Sequence, residues 1–299
     1  IISIDVFRGV TMFLMLWVND FWTLNSIPKW LKHAVSGEDY LGFSDLIFPW
    51  FLFAIGLSIP FAFESRLLKG ENNVTIGKHI LLRTIALLVM GLFHMNMEMY
   101  NHQLSIIPKP IFVIISTLAF FMIWNDHSSL KGKNDFFYKL LPFLGVTVLI
   151  IMFFIYHGQD YDGNAIGFRI HWWGILGLIG WVYNITAWTY FAFKKSIVAM
   201  SIAFFICMII NFMDSSNISY AIFSWQRADW IPGSGGLQAL SFAGIITSLC
   251  LIRYKDNVRI LYGFLSFAGL LSLLLGLFLR KYFIISKIAG TPSWILISM

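Results

Sequence analysis

The stretch DVFRGVTMFLMLWVNDFW, residues 5–22, decides how the rest of the chain is read. It is apolar enough to enter a bilayer, yet it carries Asp5, Arg8, Asn19 and Asp20. Charged and amide groups are expensive at membrane depth, so a helix that keeps them normally puts them to use. On an α-helix, at ~100° per residue, Asp5, Arg8, Met12 and Asn19 fall within a stripe ~60° wide. Arg8 and Asn19 are separated by ~16 Å of rise, about half of a ~30 Å hydrocarbon core. The spacing therefore puts Arg8 near one boundary and Asn19 in the opposite half. Asp5 and Arg8, three residues apart, can pair. Two readings follow: the pair closes one end of the helix while Asn19 bonds a neighbour, or the stripe lines a path through the membrane.

Composition settles which solvent the chain meets. Of 299 residues, 58% are hydrophobic and only 12% charged, and the mean hydropathy is +0.75. A soluble domain sits nearer half apolar and a quarter charged, so this chain cannot cover a water-facing surface. The net charge of +6 comes from basic residues scattered between apolar runs, which argues for a membrane orientation signal and against nucleic acid as a partner. Cys207 and Cys250 both lie inside apolar runs and read as packing residues, with no disulfide framework and no metal site implied. The chain begins without Met and stops at TPSWILISM as a new apolar run opens, so a trimmed chain lacking C-terminal helices is expected.

Runs long enough to span are Val6–Leu24, Leu46–Phe63, Ile80–Met97, Pro108–Trp124, Phe136–Tyr156, Trp172–Phe193, Ile197–Met213, Leu237–Ile252 and Val258–Leu279, with a tenth starting near Trp294. The expected fold is all-α: a polytopic transmembrane helical bundle of about ten spans, one domain over residues 1–299. Lys and Arg favour the connections on the N-terminal side, most densely in FKKS (193–196) and RYKDNVR (253–259), which predicts a cytoplasmic N-terminus. Trp22, Trp30, Trp172, Trp173, Trp225 and Trp230 then gather at the outer boundary, as interface aromatics do. The outer connections are the long ones, and they hold His33, His102, His157 and His171.

The segment KWLKHAVSGEDYLGFSDLIFPWFLFAIGLSI (29–59) puts His33 in an outer loop and Asp45 at the head of the second span. An imidazole titrates near neutrality, so a loop histidine reachable from water and from a membrane cavity can move protons; a solvated or structural histidine is the plainer alternative. His157 and His171 border an outer loop carrying Asp160 and Asp162, a set that can contact an amino-sugar ammonium or simply be solvated. GSGG (233–236) is a turn before a span, lacking the Lys and strand of a phosphate loop. His79 and His94 stand without carboxylates at metal-ligand spacing, and Met95, Met97 and Met99 are packing or lipid-facing side chains.

SIDVFRGVTMFLMLWVN (3–19), KHA (32–34) and SDLIFPWFLFAIGLSI (44–59) together resemble the start of the heparan-α-glucosaminide N-acetyltransferase family, which includes a lysosomal enzyme and bacterial relatives. GTPSWIL (290–296) echoes a TPSW stretch of bacterial members, and Arg83 in LLRTIALLVMGL (81–92) falls where the family has a basic residue. A PGVLQR-like segment of typical members stands here as SIIPKPIFVIISTLAFFMIW (105–124), and RIHWWGILGLIGWVYN (169–184) marks a divergent branch whose relatives have been labelled as N-acetylglucosamine-related transporters.

The resemblance implies a multi-pass acyltransferase of the bacterial inner (cytoplasmic) membrane. It would move an acetyl group from cytosolic acetyl-CoA, with no metal, to an amino sugar or glycan on the outer side. By position, it makes His33 the catalytic histidine, with Asn19 and Asp45 its partners. Arg8, Arg66 and Arg83, on the expected inner side, are candidates for the CoA phosphates, since the guanidinium fork matches phosphate oxygens. His157, His171, Asp160 and Asp162 are candidates for the acceptor. Family relatives form dimers, so a homodimer is expected. The rival class is an amino-sugar transporter, which polar stripes and long aromatic outer loops also fit; matching Gly/Pro-broken spans that would mark inverted repeats are absent from the sequence. A structural membrane subunit is the third.

Overall fold

The computed structural model describes residues 2–22, 24, 26–126, 135–160, 162–218 and 233–299, with the side chains of residues 22, 135 and 138 set aside. The helices are α1 (Ile2–Asn19), α2 (Ser44–Leu68), α3 (Asn73–Glu98), α4 (Lys109–Trp124), α5 (Asp135–Phe154), α6 (Ile175–Phe193), α7 (Ile197–Ser215), α8 (Gly236–Arg253), α9 (Val258–Leu279) and α10 (Pro292–Ile297). Of the expected outer connection MDSSNISYAIFSWQRADWIPGSGG (213–236), residues 219–232, with Trp225, Arg227 and Trp230, lie outside the described residues.

Seven of these helices, α1, α2, α3, α6, α7, α8 and α9, are long and apolar enough to cross a membrane, and α4 and α5 supply two shorter apolar helices. The protein is an integral membrane protein. The stretch expected to open a tenth span begins helix α10, whose Trp294 is only 1% exposed.

The chain divides into two compact units, residues 1–82 with 181–299, and residues 83–180. In the first unit α2 packs tightly on α8, and the sequence shows why. A Cβ at Gly56 would run into the Ser241 carbonyl, and one at Gly244 into the Phe53 carbonyl and the Leu57 amide. Small residues facing each other let two backbones approach where lipid offers no hydrophobic drive for association. Ser248 Oγ then donates to the Leu57 carbonyl at 2.6 Å, a hydrogen bond across that same contact. Ile59, Phe63, Ile76, Ile80, Ala187, Met200 and Phe242 form a buried core beside it.

In the second unit a two-stranded hairpin, β1 (Gly158–Gln159) and β2 (Ala165–Ile166), follows α5. Asn96 in α3 clasps the segment leading to α6: its Nδ2 donates to the Arg169 carbonyl at 2.8 Å, and its Oδ1 accepts from the Arg169 amide at 3.0 Å. Tyr156 Oη donates to the Asn96 carbonyl at 2.9 Å. Phe93, Tyr100, Phe112 and Tyr156 surround this joint.

The polar stripe of α1, which lines a path in one of its two readings, is exposed among the described residues. The inward residues of α1 are Ile4, Thr11 and Val18, spaced by seven, whereas Asp5 and Arg8 keep 69% and 38% side-chain exposure and Met12 and Asn19 are exposed. The physical reason is the seam: a repeat of seven turns one stripe to a neighbour. The polar stripe is centred ~90° round the helix from it. Thr11 satisfies its hydroxyl locally, donating to the Phe7 and Arg8 carbonyls, each at 3.0 Å.

Candidate active site

The end of α1 and the start of α2 pack through Val18, Phe21 and Ile47. The loop between them is held by its own backbone and side chains. The Phe43 amide donates to the Trp30 carbonyl at 2.8 Å, and Ser44 Oγ donates to the Leu31 carbonyl. Lys29 pairs with Glu38 at 2.7 Å and lies over the Tyr40 ring. Gly42 runs so close to the Lys32 backbone that a Cβ there would overlap the Lys32 carbonyl. The result is a fold-back that carries residue 33 over the first turn of α2.

There His33 meets Asp45, with Nδ1 2.9 Å from Oδ1. Asp45 is only 1% exposed and the His33 side chain 9%. The other carboxylate oxygen, Oδ2, accepts from the Ala34 amide at 2.9 Å and the Gly42 amide at 3.1 Å. A buried carboxylate is costly without such donors, and here the loop itself supplies them.

A third charged group enters from far along the chain. Lys287 Nζ lies 3.1 Å from His33 Nδ1 and 3.9 Å from Asp45 Oδ1. The segment carrying it is tied down at several points. Asp39 accepts from the Ile285 amide at 2.8 Å and from Arg280 Nε at 2.9 Å. Thr291 Oγ1 donates to the Ile284 carbonyl at 2.7 Å and accepts from the Ser286 amide at 3.1 Å, while Ser293 Oγ donates to the same Ile284 carbonyl at 2.9 Å. Asn211 Nδ2, at the end of α7, donates to the Gly290 carbonyl at 2.8 Å. Beyond it, Trp294 Nε1 donates to the Asp45 carbonyl at 3.2 Å, so α10 braces the residue that holds the imidazole.

Proton accounting fixes the chemistry of this corner. Nδ1 cannot donate to Asp45 and accept from Lys287 at once. A bare nitrogen lone pair facing a carboxylate oxygen at hydrogen-bond distance is repulsive, so Nδ1–H belongs to Asp45, and in the neutral ring the lone pair is on Nε2. Lys287 then stands as the counter-charge of Asp45. Burial pushes the Lys287 ammonium below the usual lysine range, and the Asp45 carboxylate opposes part of that shift. The Ile285 amide, with Arg280 behind it, holds the Asp39 carboxyl below the usual carboxylate range despite a smaller opposing effect of burial.

The other candidates fall elsewhere. Asn19 ends α1 with an exposed side chain and enters none of the hydrogen bonds described above. Arg8 pairs with Asp5 at 3.7 Å, and Arg66 gives one nitrogen to both oxygens of Glu71 at 3.1 and 2.9 Å. By rise, they stand ~16 Å from the end of α1 and ~32 Å from the start of α2. That puts both toward the end of the first unit opposite His33. Arg83, His157, Asp160, Asp162 and His171 belong to the second unit. Asp160 is consumed by its own turn, accepting from the Asn164 amide at 2.7 Å and the Asp162 amide at 3.1 Å. His157 Nδ1 donates to the Ile155 carbonyl at 3.1 Å. In His171, burial first and Arg169 second press the imidazole toward its neutral form. Lys287 escaped the sequence reading because it stands alone between two apolar helices; the TPSW echo next to it was the available signal.

Residues 1–94 match the family described as Heparan-alpha-glucosaminide N-acetyltransferase, catalytic. The human heparan-alpha-glucosaminide N-acetyltransferase is 33% identical over 98 residues, and the mouse protein of the same name is 32% identical over 97. Each match covers 31% of this chain and 13% of the relative's own length. Asn19, His33 and Asp45 fall inside the matched residues, and Lys287 and Trp294 fall outside them. The chain thus resembles the catalytic region of the heparan-alpha-glucosaminide N-acetyltransferases over residues 1–94.

Proposed function

We propose that this protein is a transmembrane acetyltransferase that moves an acetyl group from acetyl-CoA to an amino sugar, with His33 as its general base. One observation carries the reading: a buried His33–Asp45 pair at 2.9 Å, built by a fold-back loop inside the residues that match the acetyltransferase family. The donor is proposed from that match; the acceptor is proposed as a glucosamine-type amine.

The chemistry that this corner supports is simple. An acceptor amine, already in its neutral form, attacks the thioester carbonyl carbon. Nε2 of His33 takes a proton from that nitrogen as the C–N bond forms and the C–S bond breaks, and the thiolate leaves with its electron pair. A positioned base of this kind is worth about 10²–10⁴-fold. Asp45 keeps Nδ1 protonated and so keeps the lone pair on Nε2. Asn19, at the same end of α1, is proposed as a donor to the developing oxyanion, where one such bond is worth about 10²–10³-fold in other enzymes.

The basic residues of the first unit favour the opposite end. Lys195 reaches Glu64 and Lys194 reaches Asn73, beyond the end of α2 and at the start of α3. The positive-inside bias supports a cytoplasmic location for that end, and for the N-terminus, in a bacterial inner membrane. Arg8 and Arg66 lie toward it, and acetyl-CoA phosphates would have to compete with Asp5 and Glu71 for them.

The test uses purified chain, acetyl-labelled acetyl-CoA and glucosamine. Label is expected to move to the amino sugar, and H33A is expected to lose that transfer by at least 10²-fold while still folding, as shown by a cooperative thermal melt. Unchanged transfer in folded H33A would remove the base. Uptake of N-acetylglucosamine into proteoliposomes without any CoA, and no transfer, would replace the enzyme with a transporter.

A further inference from the structure

The lysine beside the His33–Asp45 pair has no part in the residues that match the family, yet the fold spends many bonds on placing it. The segment 280–291 is latched by Asp39, by the Thr291–Ser293 hydroxyls and by Asn211, and the side chain it delivers is Lys287. Its Nζ ends 3.1 Å from Nδ1 and 3.9 Å from Oδ1, over the edge that the imidazole shares with the carboxylate. The exposures rank in a useful order: Asp45 1%, His33 9% and Lys287 27%. Lys287 is thus the member of the group that meets solvent most.

Among the described residues the charged groups around it are few. From α2 the facing charge is Asp45, and from the fold-back loop the facing titratable ring is His33. Asp39 is engaged by Arg280, and Glu38 by Lys29. From α10 comes the indole of Trp294, which is uncharged. The negative charge that Lys287 answers is therefore that of Asp45.

We propose that Lys287 is a positioning residue whose ammonium holds the His33–Asp45 pair in the form in which Asp45 accepts Nδ1–H and Nε2 presents its lone pair. Charged, Lys287 offers no acceptor, so Nδ1–H has Asp45 as its partner. Once it loses its proton, the amine lone pair at 3.1 Å competes for Nδ1–H, and Asp45 loses its counter-charge in a buried site. The ring is then drawn off the line that serves the acceptor. Because burial makes Lys287 give up its proton more readily than an ordinary lysine, this switch falls on the alkaline side, below the usual ~10.4. Arginine, which stays charged throughout that range, preserves the charge.

The inference rests on the acetyltransferase reading for its kinetic arm, and a spectroscopic arm stands apart from it. In the kinetic arm, K287Q is expected to lower kcat about 10–100-fold with KM for acetyl-CoA within about twofold. The wild type is expected to lose rate at alkaline pH, and K287R to keep kcat within about fivefold and to lack that fall. A K287Q enzyme with wild-type kcat, or a K287R enzyme with the wild-type alkaline limb, overturns the role. In the second arm, ¹⁵N spectra of histidine-labelled full chain are recorded without substrate across alkaline pH. The His33 signals are expected to report Nδ1 protonated and to move with Lys287 titration in the wild type, and to stay fixed in K287R. Signals indifferent to residue 287 overturn the inference whether or not the protein transfers acetyl groups. Absent transfer by the wild type, with a Lys287-dependent spectrum, sinks the enzyme reading alone.

Discussion

Replacing Asp45 by Asn tests the candidate site most directly, because the change keeps the shape and removes the charge. In the native site one oxygen takes Nδ1–H of His33 at 2.9 Å and the other takes the Ala34 and Gly42 amides at 2.9 and 3.1 Å. An asparagine can keep those two amide bonds through its carbonyl oxygen. Its NH2 then faces Nδ1, and two donors cannot share that contact. The ring must put its proton on Nε2 and accept at Nδ1, which is the wrong tautomer for a base acting at Nε2. In a serine-protease triad the same loss of tautomer costs about 10⁴-fold in kcat. Here a loss of about 10³–10⁴-fold in acetyl transfer is expected. Stability should suffer as well: Asp45 is 1% exposed, and Lys287 would be left without its counter-charge. Breaking a buried ion pair from one side costs about 3–5 kcal/mol; the amide bonds retained and the 27% exposure of Lys287 bring the expectation to about 1–3 kcal/mol. Detergent-solubilised protein would be assayed by thermal melting and by label transfer. A D45N protein that melts a few degrees lower but transfers acetyl at the wild-type rate would refute the tautomer argument, and with it the assignment of Nε2.

Two further outcomes follow from the scaffold. G244A puts a methyl group into the Phe53 carbonyl and the Leu57 amide, so thermal melting should fall by the equivalent of about 1–3 kcal/mol of overpacking; an unchanged melt would mean that α2 and α8 do not approach as described. Asp39, whose carboxyl is held low by the Ile285 amide, stabilises the latch above the usual carboxylate value of ~3.9 and loses that contribution as pH falls through its lowered value. Hydrogen exchange at the Ile285 amide should therefore be slow at pH 6 and speed up at acid pH, and D39A should speed it about tenfold at pH 6, with equal rates in the two proteins counting against the latch.

Much of this architecture was legible because lipid imposes a simple rule on composition. Runs such as Leu46–Phe63 and Val258–Leu279 read as membrane helices from hydropathy alone, and α2 and α9 contain them. The fold-back that brings His33 to Asp45 was not legible in that way. It depends on backbone donors at Ala34 and Gly42, which every residue but proline possesses, so its mark in residue type is confined to the glycine that the close approach to Lys32 requires. The polar stripe of α1 left two readings open for a related reason. Periodicity says which residues share a face, while the seam Ile4–Thr11–Val18 shows which face the neighbours take, and that depends on the packed partners.

The distance in sequence between Lys287 and Asp45 carries the last step. Helices α2 and α8 are fixed on each other by glycines, and α7 is fixed to the end of the chain through Asn211 and Gly290. Those contacts bring a segment more than two hundred residues downstream onto the first turn of α2, where Trp294 grips the Asp45 carbonyl and Lys287 meets its carboxylate. Residues 1–94 alone can form the His33–Asp45 pair on paper, since every donor to Asp45 other than Lys287 lies within them. They would leave the carboxylate without its counter-charge and the start of α2 without its brace. The first unit therefore joins two stretches at one corner, in which the residues that match the family carry the proposed base and its carboxylate, and the distal segment supplies the charge that balances them.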